Sequence, residues 1–157
     1  MDNGRKSINE IFNGCKFFSI PYYQRGYAWG DKQLLDFFED FNTQYSLNSY
    51  YYGTILLFNK NQNNENERIT TLIIFVSCMI KRMRELNYKE SQCNKLYEHF
   101  VKNEDGIYIL SLQPDDNDFF TTRILGNEKA EAVNTPSQAK LLNAKDKFSL
   151  WLKSCDN

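Results

Sequence analysis

Two short stretches hold most of the residues that could do chemistry. Ile20 to Trp29 reads IPYYQRGYAW, with Tyr22, Tyr23, Tyr27, Trp29, Gln24 and Arg25 close together. Aromatic faces beside a guanidinium can stack a base or clamp a planar ligand. Gln24 and Arg25 can hydrogen-bond a base edge or a phosphate. A structural reading stands beside this one: Tyr22, Tyr27 and Trp29 pin a turn to the core while Arg25 pairs with Asp31 or Asp36. The second stretch, NENERITTL, spans residues 64–72 and opens on a run that is apolar on nearly every side, LIIFVSCMI. The first turn of a helix leaves backbone N–H groups without partners and carries the positive end of the dipole. Arg68, Thr70 and Thr71 placed there make a candidate anion site. Here too a plainer reading exists, in which Thr70 or Thr71 caps the helix and Arg68 pairs with a nearby carboxylate.

The elements that must position these residues follow from pattern. A helix apolar all round is a buried one, so the segment from Leu72 to Ile80, continued by Met83 and Leu86, is expected to be the central helix. Ser7-Ile8-Asn9-Glu10 has the capping-box pattern and Gly14 a stop, predicting a helix over 8–13. KFFSI, residues 16–20, reads as a short strand ended by Pro21. Asp31 is expected to cap a helix over 32–45 whose apolar face carries Leu34, Leu35, Phe38, Phe41 and Tyr45. Residues 50–58 (YYYGTILLF) read as a buried strand and 59–66 as an asparagine-rich loop. A weaker amphipathic helix is expected over 89–103, and a short strand over 107–112, stopped by Pro114. Asp118 is placed as the cap of a brief helix ending at Gly126, and 127–135 as a loop. Thr135-Pro136 looks like N-cap and first residue of a last helix running to about Ser154. The expectation is a helix-rich α+β fold in one domain, residues 1–157, with a small sheet packed on the buried central helix and helices at the C-terminal end.

Composition narrows the function. The 157 residues carry 19 basic and 20 acidic side chains, so no global field draws the protein to nucleic acid or membrane. Any DNA contact must come from a local patch. Four cysteines show no CxxC spacing, which predicts reduced thiols with neither zinc site nor disulfide framework. The N-terminus has no apolar signal region, and the longest apolar run is about nine residues against the roughly twenty that span a bilayer. A cytoplasmic protein with no membrane contact is expected. The single histidine, His99, rules out two-histidine metal sites and histidine-metal nuclease chemistry. It reads as a surface or packing residue.

IPYYQRGYAW, the following QLLDFFED, then YYYGTILLF and ERITTL together resemble the GmrSD restriction endonuclease N-terminal domain family. ILSLQPDDNDFFTTRILGN and SQAKLLNAKDKFSLWL look like the middle and end of that family, so the resemblance covers nearly the whole chain. It implies a ParB/sulfiredoxin-like sheet and a nucleotide-dependent role in bacterial defence against modified phage DNA. In such systems this domain binds and hydrolyses a nucleoside triphosphate or senses DNA, and a separate nuclease subunit or domain cuts. That nuclease domain is not expected within these residues.

Where the family shows a DGQQR box, this chain has Asn64-Glu65-Asn66-Glu67-Arg68, and only the arginine carries over. A side chain and a negative charge at Glu65, where glycine backbone should approach phosphate, oppose triphosphate binding by about 1–4 kcal/mol depending on burial. The ParB relatives carry a Glu-Arg pair in the equivalent place, which implies for Glu67 a catalytic role in orienting water or holding Mg²⁺. The family-type site is therefore Tyr23, Gln24, Arg25, Tyr27, Arg68, Thr70 and Thr71 around a nucleotide or phosphate. Its cofactor would be a nucleoside triphosphate with Mg²⁺; no zinc, haem, flavin or other metal site is expected. The function expected is a nucleotide- or nucleic-acid-binding sensor with weak or no hydrolysis. The alternative is a non-enzymatic relative acting as a protein-protein or DNA-binding module, including one that takes a modified or flipped base on the aromatic turn.

Overall fold

The computed structural model describes residues 7–14, 17–43, 66–126 and 132–155. The strand expected over 50–58, Asn64 and Glu65 of the box, Cys15 and most of the loop over 127–135 lie outside the described residues. Helix α1 (Ile8–Phe12) opens on the full capping box, with Ser7 and Glu10 bonded to each other's backbone N–H. Gly14 follows with φ +82°, a conformation open to glycine at little cost. Strand β1 (Phe18–Ser19) then pairs in parallel with β2 (Leu110–Ser111), Phe18 opposite Leu110 and Ser19 opposite Ser111. Both strands fall inside the segments whose sequence suggests them, but each is only two residues long. Among the described residues the fold is thus helix-rich α+β with one small parallel sheet.

Helix α2 (Asp31–Thr43) starts one residue earlier than the expected cap allows. Gly30 occupies the capping position: its carbonyl accepts from Leu34 N–H, and its own N–H donates to Gln33 Oε1 at 3.1 Å. Asp31 is instead the first helical residue and reaches sideways. Its carboxylate accepts from Asn143 Nδ2 at 2.7 Å and faces Lys147 Nζ at 3.2 Å, which ties α2 to the last helix. Those two partners, Asn143 first, hold the Asp31 carboxyl below the ordinary aspartate value.

The central helix α3 (Asn66–Glu85) begins earlier than the apolar run, so Thr70 and Thr71 sit in its second turn, past the capping position. Its side chains from Ile69 to Val76 are buried without a polar face, as the all-round apolar pattern requires. Asn87 ends it in the left-handed conformation, with Tyr88 N–H returning to Met83 O and Asn87 N–H to Arg84 O, a Schellman closure. α3 packs chiefly on α4 (Glu90–Phe100) and on α6 (Pro136–Ser154). Phe75 lies at the centre of an aromatic cluster, with the rings of Phe37, Phe38, Phe41 and Phe148 all edge-on to it at 4.6 to 6.2 Å. His99 packs edge-on to Phe100, at 4.6 Å between centroids, and beside Phe12.

After α4 the chain turns back through Gly106 (φ +78°) to reach β2. Pro114 does not merely stop that strand. It opens helix α5 (Pro114–Phe119) from the first helical position, where its missing N–H is harmless. Asp118 therefore lies inside a helix rather than at its cap. α5 continues into a π-helical turn, Phe120–Leu125, whose buried Phe120, Ile124 and Leu125 face the core. Lys145 Nζ donates to Arg123 O and holds this wide turn against α6; burial pushes that amine below the ordinary lysine value. Thr135 is extended and accepts from Gln138 N–H at 3.1 Å, the N-cap that the Thr-Pro pair predicts for α6. Among the described residues no helix is long and apolar enough to cross a membrane.

Phe75 is 1% exposed and its ring meets those of two other helices, α2 and α6. Phe75→Ala is expected to cost about 3–5 kcal/mol of unfolding free energy, measured by urea denaturation with the slope unchanged.

Candidate functional site

The aromatic turn is held from both sides. Gln113 Nε2, at the end of the β2–α5 connection, donates to Gln24 O at 2.6 Å and to Arg25 O at 3.0 Å. Ser137 Oγ, in the first turn of α6, accepts from Tyr27 N–H at 2.8 Å, and Lys140 Nζ donates to Ala28 O at 2.8 Å. The backbone between Gln24 and Ala28 thus finds its partners in side chains some 90 to 110 positions away, which is how a loop becomes rigid without strand pairing. Gly26 is needed for closeness. A Cβ there would stand 2.8 Å from Ser137 Cβ and 3.3 Å from Asp116 Oδ2. The buried Asp116 accepts from Thr135 Oγ1 at 3.1 Å and so joins the cap of α6 to the same corner.

Contacts cross between this turn and the front of α3. Tyr27 is buried, and its hydroxyl lies 2.7 Å from Thr71 Oγ1. Burial pushes the Tyr27 phenol well above its ordinary value; the Thr71 bond works the other way, and the Glu67 charge adds to the rise. Arg25 reaches from the turn to the helix, with its guanidinium nitrogen 3.2 Å from Glu67 Oε1. Arg68 reaches from the helix to the turn, with Cζ 5.9 Å from the centre of the Trp29 ring. Turn and helix therefore exchange their two arginines across one junction.

The Arg25–Glu67 pair is lopsided. The arginine side chain is 63% exposed and the glutamate 11%. Glu67 Oε1 is buried and has no hydrogen-bond partner, so the contact at 3.2 Å is electrostatic, with no N–H of Arg25 aligned on the oxygen. A buried carboxylate oxygen facing one loosely placed cation is an uncommon arrangement, since such atoms are usually fully bonded.

Of the residues singled out in the sequence, the structure gathers Arg25, Tyr27, Glu67, Arg68 and Thr71 at this junction. Thr70 and Thr71 are fully buried, so their hydroxyls work inside the fold. Tyr23 and Gln24 lie at the outer end of the turn. Tyr23 is 51% exposed and edge-on to Tyr22 at 5.5 Å. Tyr22 does not pin the turn to the core: it is 82% exposed, and Tyr27 and Trp29 do the anchoring. Nor does Arg25 pair with Asp31 or Asp36; Asp31 is engaged by Asn143 and Lys147 instead. Gln113, Ser137 and Lys140 carry no local signature that marks them. Only long-range contact reveals their part.

The chain belongs to the family of the GmrSD restriction endonuclease N-terminal domain, whose sequence model matches residues 7–153. Family membership links it to restriction systems. No protein of curated function matches the chain.

Tyr27 offers a direct test of the junction. Because its proton is held more tightly folded than unfolded, its contribution is fully present below the unfolded phenol value, near 10.0, and is lost as pH rises above that. Tyr27→Phe is expected to cost about 1–2 kcal/mol at neutral pH through the stranded Thr71 hydroxyl. It should also flatten part of the loss of stability between neutral and strongly alkaline pH, followed by chemical denaturation at each pH.

Proposed function

We propose that this domain is the nucleotide- or nucleic-acid-binding sensor of a modification-dependent restriction system, acting through binding rather than efficient triphosphate hydrolysis. The observation that carries the reading is the exchange of arginines at the junction. Two cations distant in sequence, Arg25 and Arg68, bracket the point where the aromatic turn meets the first turn of α3. There the helix dipole and the first-turn N–H groups favour negative charge. Arg25, mostly exposed, serves as the phosphate fork, and Arg68 adds charge from beside Trp29. Tyr23 at the rim offers a face to a base, and Gln24 beside it a hydrogen-bonding amide.

Support for binding without turnover comes from Glu67. Its carboxylate points at Arg25 from a buried position, which suits neutralising a cation better than activating water. Among the described residues no three His, Cys, Asp or Glu side chains cluster as a metal cage. A nucleoside triphosphate would therefore bring Mg²⁺ on its own phosphates, the usual habit of that ion. Cutting would fall to a separate nuclease subunit or domain.

Calorimetric titration of the chain with GTP, CTP and ATP in Mg²⁺, and with DNA duplexes with and without base or backbone modification, tests this. Saturable binding to at least one phosphate-bearing ligand is expected, with phosphate release at background. Arg68→Ala should weaken it about 10- to 100-fold, the range for loss of one charge-assisted contact. Trp29 emission should move on binding in the wild type and not in that variant. Absence of heat with every ligand would sink the proposal, as would phosphate release that Arg68→Ala abolishes.

A further inference from the structure

We propose that Gln113 is the positioning residue of the turn–helix junction: its side-chain amide sets the backbone that carries Arg25 to Glu67, and the ion pair follows the turn rather than holding it. The inference needs no ligand, so it stands or falls apart from the binding role proposed above. Its basis is a contrast between two contacts of the same residue. Gln113 Nε2 donates to Gln24 O at 2.6 Å and to Arg25 O at 3.0 Å, one amide N–H for each carbonyl. The side chain of Arg25 is mostly exposed and meets Glu67 Oε1 at 3.2 Å with no N–H aligned on it. Ion pairs with an exposed partner hold little, because water screens them and a long side chain loses freedom in making them. Two well-formed amide–carbonyl bonds hold more.

Gln113 is itself placed by bonds that do not involve the turn. Its carbonyl accepts from Asp116 N–H at 3.0 Å and from Asn117 N–H at 2.9 Å, which seats it at the head of α5. Asn117 Oδ1 accepts in return from Leu112 N–H at 2.9 Å. The corner between β2 and α5 is therefore closed before the side chain reaches out. On the turn side, Ile20 N–H donates to Ser111 O at 2.9 Å and Gln24 N–H to Pro21 O at 3.1 Å. Ser137 and Lys140 take up the backbone only from Tyr27 onward. The carbonyls of Gln24 and Arg25 fall between these two sets of ties, and the Gln113 amide spans the gap. Glu67 is buried at the front of α3 and cannot come to meet the arginine. Where the backbone of Arg25 stands thus decides whether the pair forms.

Gln113→Met keeps the length of the side chain and removes the donor. Backbone ¹⁵N order parameters of the full chain report the native turn directly and do not move with global stability. The amides of Arg25 and Gly26 are expected to fall from about 0.85 in the wild type to below about 0.6 in Gln113→Met, with those of α6 unchanged. Arg25→Met should leave the same amides ordered, since the turn does not lean on the ion pair. A second measurement reads the pair itself, as a double-mutant cycle of thermal midpoints between Arg25→Met and Glu67→Gln. A coupling of about 2–4 °C is expected in the wild type, where losing Arg25 strands a buried carboxylate, and none in the Gln113→Met background. Order kept at residues 25 and 26 without the amide, or lost as fully in Arg25→Met, would show that other contacts or the ion pair hold the turn, and the inference is overturned. A coupling that survives Gln113→Met, or is absent from the wild type, overturns it equally. Failure of every phosphate-bearing ligand to bind removes the binding role and leaves this assignment untouched.

Discussion

The hydroxyl of Tyr27 on the hydroxyl of Thr71, deep between the aromatic turn and the second turn of α3, is the contact on which the arrangement of the junction depends. A buried phenol has few ways to be satisfied, and one left unmet would cost more than the bond is worth. The constraint therefore sets more than a distance. It fixes which face of α3 meets the turn, and with it the rotation at which Glu67 and Arg68 emerge. Since residues three to four apart share a helical face, anchoring Thr71 brings Glu67 and Arg68 to the side of the turn.

Two kinds of interaction meet there with different tolerances. The aromatic packing around Phe75 and the rigid backbone of residues 24–28 allow little movement, because close-packed cores respond to even small changes of volume. The charges above them are looser: one exposed guanidinium against a buried carboxylate, and one guanidinium laid over an indole. The acid at position 67 also separates this chain from the box that the family pattern leads one to expect, where an amide would stand. A carboxylate there offsets part of the positive potential of the helix front.

Much of the scaffold was legible in the residues, for reasons of local physics. The capping box at Ser7 and Glu10, the N-cap Thr135 before Pro136, and the uninterrupted apolar run of α3 each act within a few residues, so pattern suffices. Where local signals competed, pattern misled. Asp31 has the chemistry of a cap, yet Gly30 and Gln33 took that task and left Asp31 for Asn143 and Lys147. Pro114 reads equally as the end of a strand and the start of a helix, and the cap at Asp118 vanished once the helix began there. Thr70 and Thr71 look like caps until the helix is seen to start at Asn66.

The sequence by itself determined the residue types that gather at the junction, the buried character of α3 and the membership of a family over residues 7–153. These are properties of composition and short-range order. Tertiary structure alone decided the pairings: Arg25 with Glu67 rather than Asp31 or Asp36, Arg68 with Trp29, and Gln113, Ser137 and Lys140 with the backbone of the turn. Partners so far apart along the chain are chosen by which faces the core brings together, and no periodicity within either segment encodes that choice.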